Sequence, residues 1–222
     1  MIIGSGLIAQ SLQFIDQENH LFFASGVSNS LETRSSEFER EFMLLKKSIE
    51  KYSECKLLYF STLSVNDQSK QDSQYVLHKL KLEEYIRNNT TSHLILRIGN
   101  IVGKGGNPNT LFNFLKTQIS QGMTFTIHQR ARRLLLDVDD VSKFLQTYGD
   151  DLNNQTVNFA YPYYYDLKEI VQAIEIRMMK KANYTETDDG DFYKIDFDGT
   201  ADGFFTGIDA DEYLKNLAEK YI

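Results

Sequence analysis

The 222-residue chain predicts an α/β fold, a mostly parallel sheet with helices on both faces. Three observations carry that expectation. Short apolar segments alternate with stretches of helical periodicity along the chain. A G-x-G-x-x-A turn, Gly4-Ser5-Gly6-Leu7-Ile8-Ala9, follows the first strand. The apolar run Leu57-Leu58-Tyr59-Phe60 ends in Ser61-Thr62 and leads, after a polar loop, to a helix bearing Tyr75 and Lys79.

Met1-Ile2-Ile3 reads as a very short strand running into the glycine turn, and a helix is expected from Leu7 to about Asp16. Leu7, Ile8, Leu12 and Ile15 form its apolar side. Glycines at 4 and 6 allow a tight turn and the close approach of a pyrophosphate, and Ala9 lets the helix pack near the strand. The competing reading is a plain strand–helix turn. A dinucleotide fingerprint is ordinarily followed, about 20 residues on, by a strand ending in Asp or Glu that holds the adenosine ribose. Here the chain passes through Gln17-Glu18-Asn19 straight into His20-Leu21-Phe22-Phe23-Ala24-Ser25-Gly26, a strand with no acid at its end. Either the ribose is held differently or the adenosine half of the site is reduced.

Residues 35–52 read as a helix with Ser35 or Ser36 as cap, Glu37 and Glu39 near its start, and Lys46 and Lys47 near its end. Phe38, Phe42, Leu45 and Ile49 form its apolar stripe. The strand 57–62 and the Tyr75 helix follow. Tyr75 and Lys79 fall on one helix face, where a fixed cation favours the phenolate. Such a phenol can exchange a proton with a substrate oxygen, and Thr62 can hydrogen-bond the same atom. That is the chemistry of reversible alcohol oxidation. Spacing alone does not single the pair out, because Tyr52/Lys56 and Tyr164/Lys168 share it. Only Tyr75 follows a strand that ends in hydroxyl residues.

Residues 93–98 read as another buried strand, leading into a Gly/Asn-rich loop through Pro108. A helix from Leu111, a short strand 124–128 and the basic cluster Arg130-Ala131-Arg132-Arg133 follow. Leu134-Leu135-Leu136 then runs into a helix whose start carries Asp137, Asp139 and Asp140, as its dipole favours. The remainder predicts a strand (156–160), a helix (167–180), an irregular acidic stretch (185–202) read as a solvated loop, and a last helix (210–221).

Composition bounds the function. A formal net charge of −7 argues against nucleic acid as a partner, since a phosphate backbone is met by a basic surface. No apolar run approaches the roughly 20 residues of a membrane span, and the start lacks the features of a signal peptide. The single cysteine, Cys55, forms no internal disulfide and suits a reducing cytoplasm. With four scattered histidines and no Cys/His cluster, no metal site is expected.

Taken together these residues resemble the extended short-chain dehydrogenase/reductases, specifically the nucleotide-sugar epimerase/dehydratase group, over nearly the whole length. Gly4 to Ala9 looks like the cofactor turn, with Ala9 for the third glycine and one residue fewer between the first two. Phe23-Ala24-Ser25-Gly26 is similar to the strand that ends beside the cofactor, and Ser61-Thr62-Leu63-Ser64-Val65 to the Ser-Ser-x-x-Val segment. Tyr75 and Lys79 match the Tyr-x-x-x-Lys pair. Leu96-Arg97-Ile98-Gly99-Asn100-Ile101-Val102-Gly103 and Arg133 to Asp140 match two substrate-side segments. The departures are a deleted strand–helix–strand block after the first helix, and a short loop from Thr62 to Tyr75 with Asn66-Asp67 where Tyr-Gly is usual.

The resemblance implies a single Rossmann-like, doubly wound domain over 1–222, truncated, with a small substrate lobe from about 104–135 and 161–222. It implies Thr62, Tyr75 and Lys79 as catalytic residues. NAD or NADP would be held by Gly4, Gly6, Leu7, Ile8, Ala24, Ser25, Gly26, Ser61, Tyr75, Lys79 and Gly99. A nucleotide-sugar substrate would be held by Asn100, Asn113 and Arg133. The Arg133 guanidinium is a bidentate match for phosphate, its alternative being a salt bridge to a nearby aspartate. The expected activity is keto reduction or epimerisation of a nucleotide-linked sugar, in the cytoplasm and in bacterial surface polysaccharide biosynthesis. The helices 35–52 and 74–88 are expected to pair across a homodimer. The rival expectation is a degenerate, non-catalytic module with a regulatory or interaction role.

Overall fold

The computed structural model describes residues 1–190 and 192–222. Its central sheet is parallel and five-stranded. In chain order the first elements are β1 (Ile2–Ile3), α1 (Leu7–Ser11), β2 (His20–Phe23), α2 (Ser35–Lys51), β3 (Lys56–Thr62), α3 (Gln74–Asn89) and β4 (His93–Ile98). The lobe follows as β5 (Asn100–Val102), α4 (Leu111–Gln121), β6 (Thr124–His128), β7 (Arg132–Arg133), β8 (Leu135–Asp137) and α5 (Val138–Tyr148). The chain returns to the sheet in β9 (Gln155–Phe159) and then forms β10 (Tyr165–Asp166), α6 (Leu167–Met178), β11 (Asn183–Thr187), α7 (Gly199–Phe204) and α8 (Ala210–Tyr221).

The strand order is β1-β2-β3-β4-β9, which puts β1 at one edge. A wound sheet with its first strand inside carries the adenosine-binding strands beyond it. Here β1 pairs directly with β2 (Ile2 with Phe22, Ile3 with Phe23), and nothing among the described residues pairs with its other side.

Both faces of the sheet are buried, so its strands read as continuous apolar runs. Successive side chains alternate between the faces. Leu57 and Tyr59 point with Leu21 and Phe23 toward Leu45 and Ile49 of α2 and Leu82 and Ile86 of α3. Leu58 and Phe60 join a second core with Phe144, Phe159, Ile170 and Leu217 that runs from the sheet through the lobe without a break. The same alternation aims Ser61 at Glu83 of α3.

The sequence expectations shift in three places. The first helix stops at Ser11 and tightens into a 3₁₀ turn at Gln13–Ile15, because the chain must enter β2 a few residues later. Neither Ser35 nor Ser36 caps α2; its N-cap is Arg34, without a side-chain bond. The acidic stretch is not irregular throughout. It contributes β11, parallel to β6, and α7, whose cap Asp198 accepts from the amides of Thr200 and Ala201. Asp137 caps α5 through the Asp139 amide.

Candidate active site

The ends of β2–β4, the glycine turn and the lobe enclose a cleft of about 1090 Å³. Gly4 lies behind its wall. It has φ +130°, and a Cβ there would fall 2.5 Å from the Ala24 carbonyl oxygen, so the turn passes the end of β2 only as glycine. Gly6 is different: a Cβ there meets no atom within 4 Å and would project into open space. That is the room a pyrophosphate needs.

Gly6, Leu7, Ile8, Ala24, Ser25, Gly26, Ser61, Thr62, Tyr75, Lys79, Gly99, Asn100 and Arg133 all line the cleft. Asn113 does not. Its amide donates to the carbonyls of Gly105 at 2.9 Å and Asn107 at 3.1 Å, fastening the Gly/Asn-rich loop. Ser61 lines the cleft from β3, but its hydroxyl donates to Glu83 Oε1 at 2.6 Å on the α3 side. Asn100 Nδ2 donates to the Leu134 carbonyl at 3.2 Å, tying the end of β4 to the lobe. Gly99 is a close approach, since a Cβ there would lie 2.7 Å from the same carbonyl oxygen.

Thr62, Tyr75 and Lys79 converge on one wall. The Thr62 hydroxyl lies against the Tyr75 phenol, and Lys79 Nζ sits 5.9 Å from the Tyr75 ring centre. Lys79 does lower the phenol, as expected, but burial outweighs it. Burial pushes Tyr75 above its ordinary value; Lys79 and Thr62 pull it down without prevailing, and Glu41 adds to the rise.

The smallest of these influences comes from Glu41, a residue that did not stand out in the sequence. Its carboxylate is fully buried on α2, 2.8 Å from Lys79 Nζ, 3.0 Å from His78 Nε2 and 2.8 Å from the Val27 amide that donates to it. Tyr59 OH donates to the same carboxylate at 3.3 Å and accepts from Lys79 at 3.1 Å. Burial pushes the Glu41 carboxyl up, but Lys79 and the hydrogen bonds hold it at about 2. Gly26 makes room for the pair, because a Cβ would fall 2.7 Å from Glu41 Oε1 and 3.0 Å from Lys79 Nζ. Glu83 is a second buried acid, bonded to Ser61 and to Arg97 at 2.9 and 2.6 Å. The sequence did hold a signal for both. Glu41 falls three residues after Phe38 and four before Leu45 on the apolar stripe, and Glu83 sits beside Leu82 and three before Ile86.

Arg133, which also lines the cleft, is part-buried; its Nη1 donates to the Arg132 carbonyl at 2.8 Å, and among the described residues no carboxylate comes within ion-pair distance of it. Tyr193, pushed up to about 12 by burial, and Tyr164 also face the cleft. The Tyr164 hydroxyl accepts from the Ile195 amide at 2.7 Å. Lys168 pairs with Glu186 at 2.7 Å and Lys56 donates to the Gly149 carbonyl at 2.7 Å, so neither other Tyr-x-x-x-Lys pair assembles a site with a strand-end hydroxyl. Among the described residues no group of three or more His, Cys, Asp or Glu is placed to hold a metal ion, and no helix is long and apolar enough to cross a membrane.

Solved structures match the chain along almost all of its length. UDP-N-acetylglucosamine 4-epimerase from Methanobrevibacter ruminantium, in complex with UDP-N-acetylmuramic acid, aligns with a TM-score of 0.71. The alignment covers 99% of this chain and 81% of that one, at 16% identity. The chain has the fold of the nucleotide-sugar epimerases. UDP-glucose 4-epimerase from Thermus thermophilus, in complex with NAD, matches at TM-score 0.69 and 15% identity over 96% of this chain and 80% of that one. dTDP-glucose 4,6-dehydratase from Bacillus anthracis, in complex with NAD, matches at 0.68 and 14% over 98% and 77%. No protein-family model matches the chain, and no curated protein matches it in sequence.

The shared architecture is Rossmann-like, and the residues fit a dinucleotide unevenly. Tyr75, Lys79 and the open Gly6 turn line the cleft and leave room for a nicotinamide ribose and a pyrophosphate. On the adenosine side β2 ends in Ala24-Ser25-Gly26, and no acid stands where a ribose would be read.

Proposed function

We propose that the chain is an NAD(P)-dependent enzyme of the short-chain dehydrogenase/reductase type that reduces or epimerises a nucleotide-linked sugar. One observation carries the reading: Thr62, Tyr75 and Lys79 meet on the wall of a cleft that the open Gly6 turn and Arg133 also line. The epimerases and dehydratase of the same fold bind NAD and nucleotide sugars, which supports the same pairing here.

Gly6, Leu7 and Ile8 would hold the pyrophosphate, and Lys79 and Tyr75 the nicotinamide ribose. A nicotinamide supplies or accepts hydride at the sugar carbon. Tyr75 moves a proton to or from the oxygen on that carbon, and Thr62 fixes this oxygen by a hydrogen bond. Arg133 binds the diphosphate, and the burial that removes competing water strengthens that contact. The cytoplasmic setting, the link to surface polysaccharide and the homodimer through α2 and α3 are part of the proposal and come from the family resemblance. A non-catalytic interaction module is favoured by one observation only, the missing adenosine wall.

Fluorescence titration of NADH and NADPH against the purified protein tests the reading, followed by a screen of 4-keto and 4-hydroxy nucleotide sugars. Saturable binding and turnover are expected. No binding of either cofactor would overturn it in favour of the interaction module.

A further inference from the structure

The proposed chemistry needs Thr62, Tyr75 and Asn100 at fixed separations, yet they come from three elements: the end of β3, α3 and the start of β5. Tyr75, Lys79 and Glu83 recur every four residues and so share one face of α3. Apolar packing alone sets the helix only loosely. Of its seven buried residues, Tyr75, His78, Lys79 and Glu83 carry polar groups, and the burial of Val76, Leu82 and Ile86 is non-directional. Glu83 supplies the direction. Its carboxylate is fully buried; Oε1 accepts from the Ser61 hydroxyl at 2.6 Å and from Arg97 Nε at 2.9 Å, and Oε2 from Arg97 Nη2 at 2.6 Å. Ser61 and Arg97 are register partners on β3 and β4. Arg87, one turn further along α3, donates to Oε2 at 2.8 Å and to the Thr156 hydroxyl of β9 at 3.1 Å. Through these bonds the helix is tied to three neighbouring strands.

Resting on the reading given under Proposed function, we propose that Glu83 is a positioning residue: it locks the helix that carries Tyr75 and Lys79 to the strands that deliver Thr62 and Asn100. Glu83 is not part of the cleft lining, so it acts through these residues and not on a bound molecule. Ser61 immediately precedes Thr62, whose hydroxyl lies against the Tyr75 phenol. Arg97 stands three residues before Asn100, which faces the same cleft. The Arg97 fork meets the carboxylate through two bonds, which fixes orientation as well as distance. Lys79 makes another polar bridge from α3 to β3, but its partner there is the neutral Tyr59 hydroxyl, 3.1 Å away, which also serves Glu41. For α3 to slip along β3 and part Tyr75 from Thr62, the Glu83 bonds must break. Buried ion pairs add little to stability as such, because well-packed apolar side chains often replace them without loss. Apolar side chains would not supply a fixed setting of the helix, and a misplacement of about 1 Å costs on the order of 10²-fold in rate.

The test compares two variants. Glu83→Gln keeps the shape of the side chain and removes its charge; Ser61→Ala removes only the bond to β3 and leaves the ion pair whole. Because Ser61→Ala keeps every buried charge paired, it carries the test should Glu83→Gln not fold. Crystal structures of the ligand-free variants are expected to show the Thr62 hydroxyl and the Tyr75 phenol further apart than in the parent, by about 1 Å or more. In Glu83→Gln, kcat on the nucleotide sugar is expected to fall on the order of 10–10²-fold, with KM and NADH affinity within about threefold of the parent, since only the reacting groups are displaced. A role in stability alone would lower the melting temperature of both variants and leave the separation and kcat unchanged. A parental separation in either folded variant overturns the proposal, and so does full kcat in Glu83→Gln. The structural measurement involves no turnover. A protein that binds no cofactor would therefore sink the enzyme reading, while the separation still decides whether Glu83 sets the helix.

Discussion

Tyr75 is where the proposed chemistry can be isolated by a single atom. Tyr75→Phe keeps the ring in its buried packing with Val27, Val65 and Val76 and removes only the hydroxyl. Turnover should fall by roughly 10²–10⁴-fold while the melting temperature barely moves. Tyr52→Phe, far from any strand-end hydroxyl, should leave the rate intact. Full activity in Tyr75→Phe would refute the mechanism. The buried acids make a separate prediction about stability. Glu41 is held at about 2 against an ordinary 4.5, and Glu83 is depressed in the same direction by Arg97 and Ser61. A depressed carboxyl contributes stability above its unfolded value, and that contribution is lost as pH falls through the folded one. Thermal stability should therefore drop steeply between about pH 4.5 and 2, and Glu41→Gln should flatten part of that drop. A parent melting temperature that is flat across this window would show that these ion pairs contribute little.

At the scale of elements, the sequence was legible wherever burial imposed a period. The central strands announced themselves as apolar runs, and the grouping of Thr62, Tyr75 and Lys79 followed from the strand–hydroxyl–helix order. β11 did not, because Asn183-Tyr184-Thr185-Glu186-Thr187 is exposed along most of its length and shows no apolar alternation. α7 was hidden for a related reason: its six residues bury only Ala201. Glu41 and Glu83 were missed because a charge inside an apolar stripe reads as noise until partners on other elements are known. The glycine turn offers a test at this scale. Gly6→Val adds a branched side chain in open space, at a backbone of φ −75° that any residue adopts, so the fold should survive and cofactor binding should weaken sharply. Gly4→Ala should do the opposite, destabilising by about 1–3 kcal/mol through its positive φ and the Ala24 carbonyl. Unaltered NADH affinity in Gly6→Val would move the pyrophosphate elsewhere.

For the whole molecule, the sheet runs from β1 at one edge to β9 at the other and, among the described residues, has no strand beyond β1. A bound dinucleotide would be gripped at its nicotinamide end, leaving the adenosine with little protein to read it. NADH and NADPH should accordingly bind within about threefold of each other, and reduced nicotinamide mononucleotide should retain most of the affinity, losing less than about tenfold, or 1.4 kcal/mol. A strong preference between the two dinucleotides would mean that other residues read the adenosine ribose.

The position of β1 also shapes how the molecule breathes. This strand has two residues and, among the described residues, one hydrogen-bonded neighbour. The glycine turn hangs directly from it. Local opening in proteins follows the sparsest packing. Amide hydrogens of 2–9 should therefore exchange with solvent deuterium far sooner than those of β3 and β4, which have neighbours on both sides. A ligand gripped by the turn would slow that exchange selectively, so protection of these few amides reports occupancy before any reaction is known.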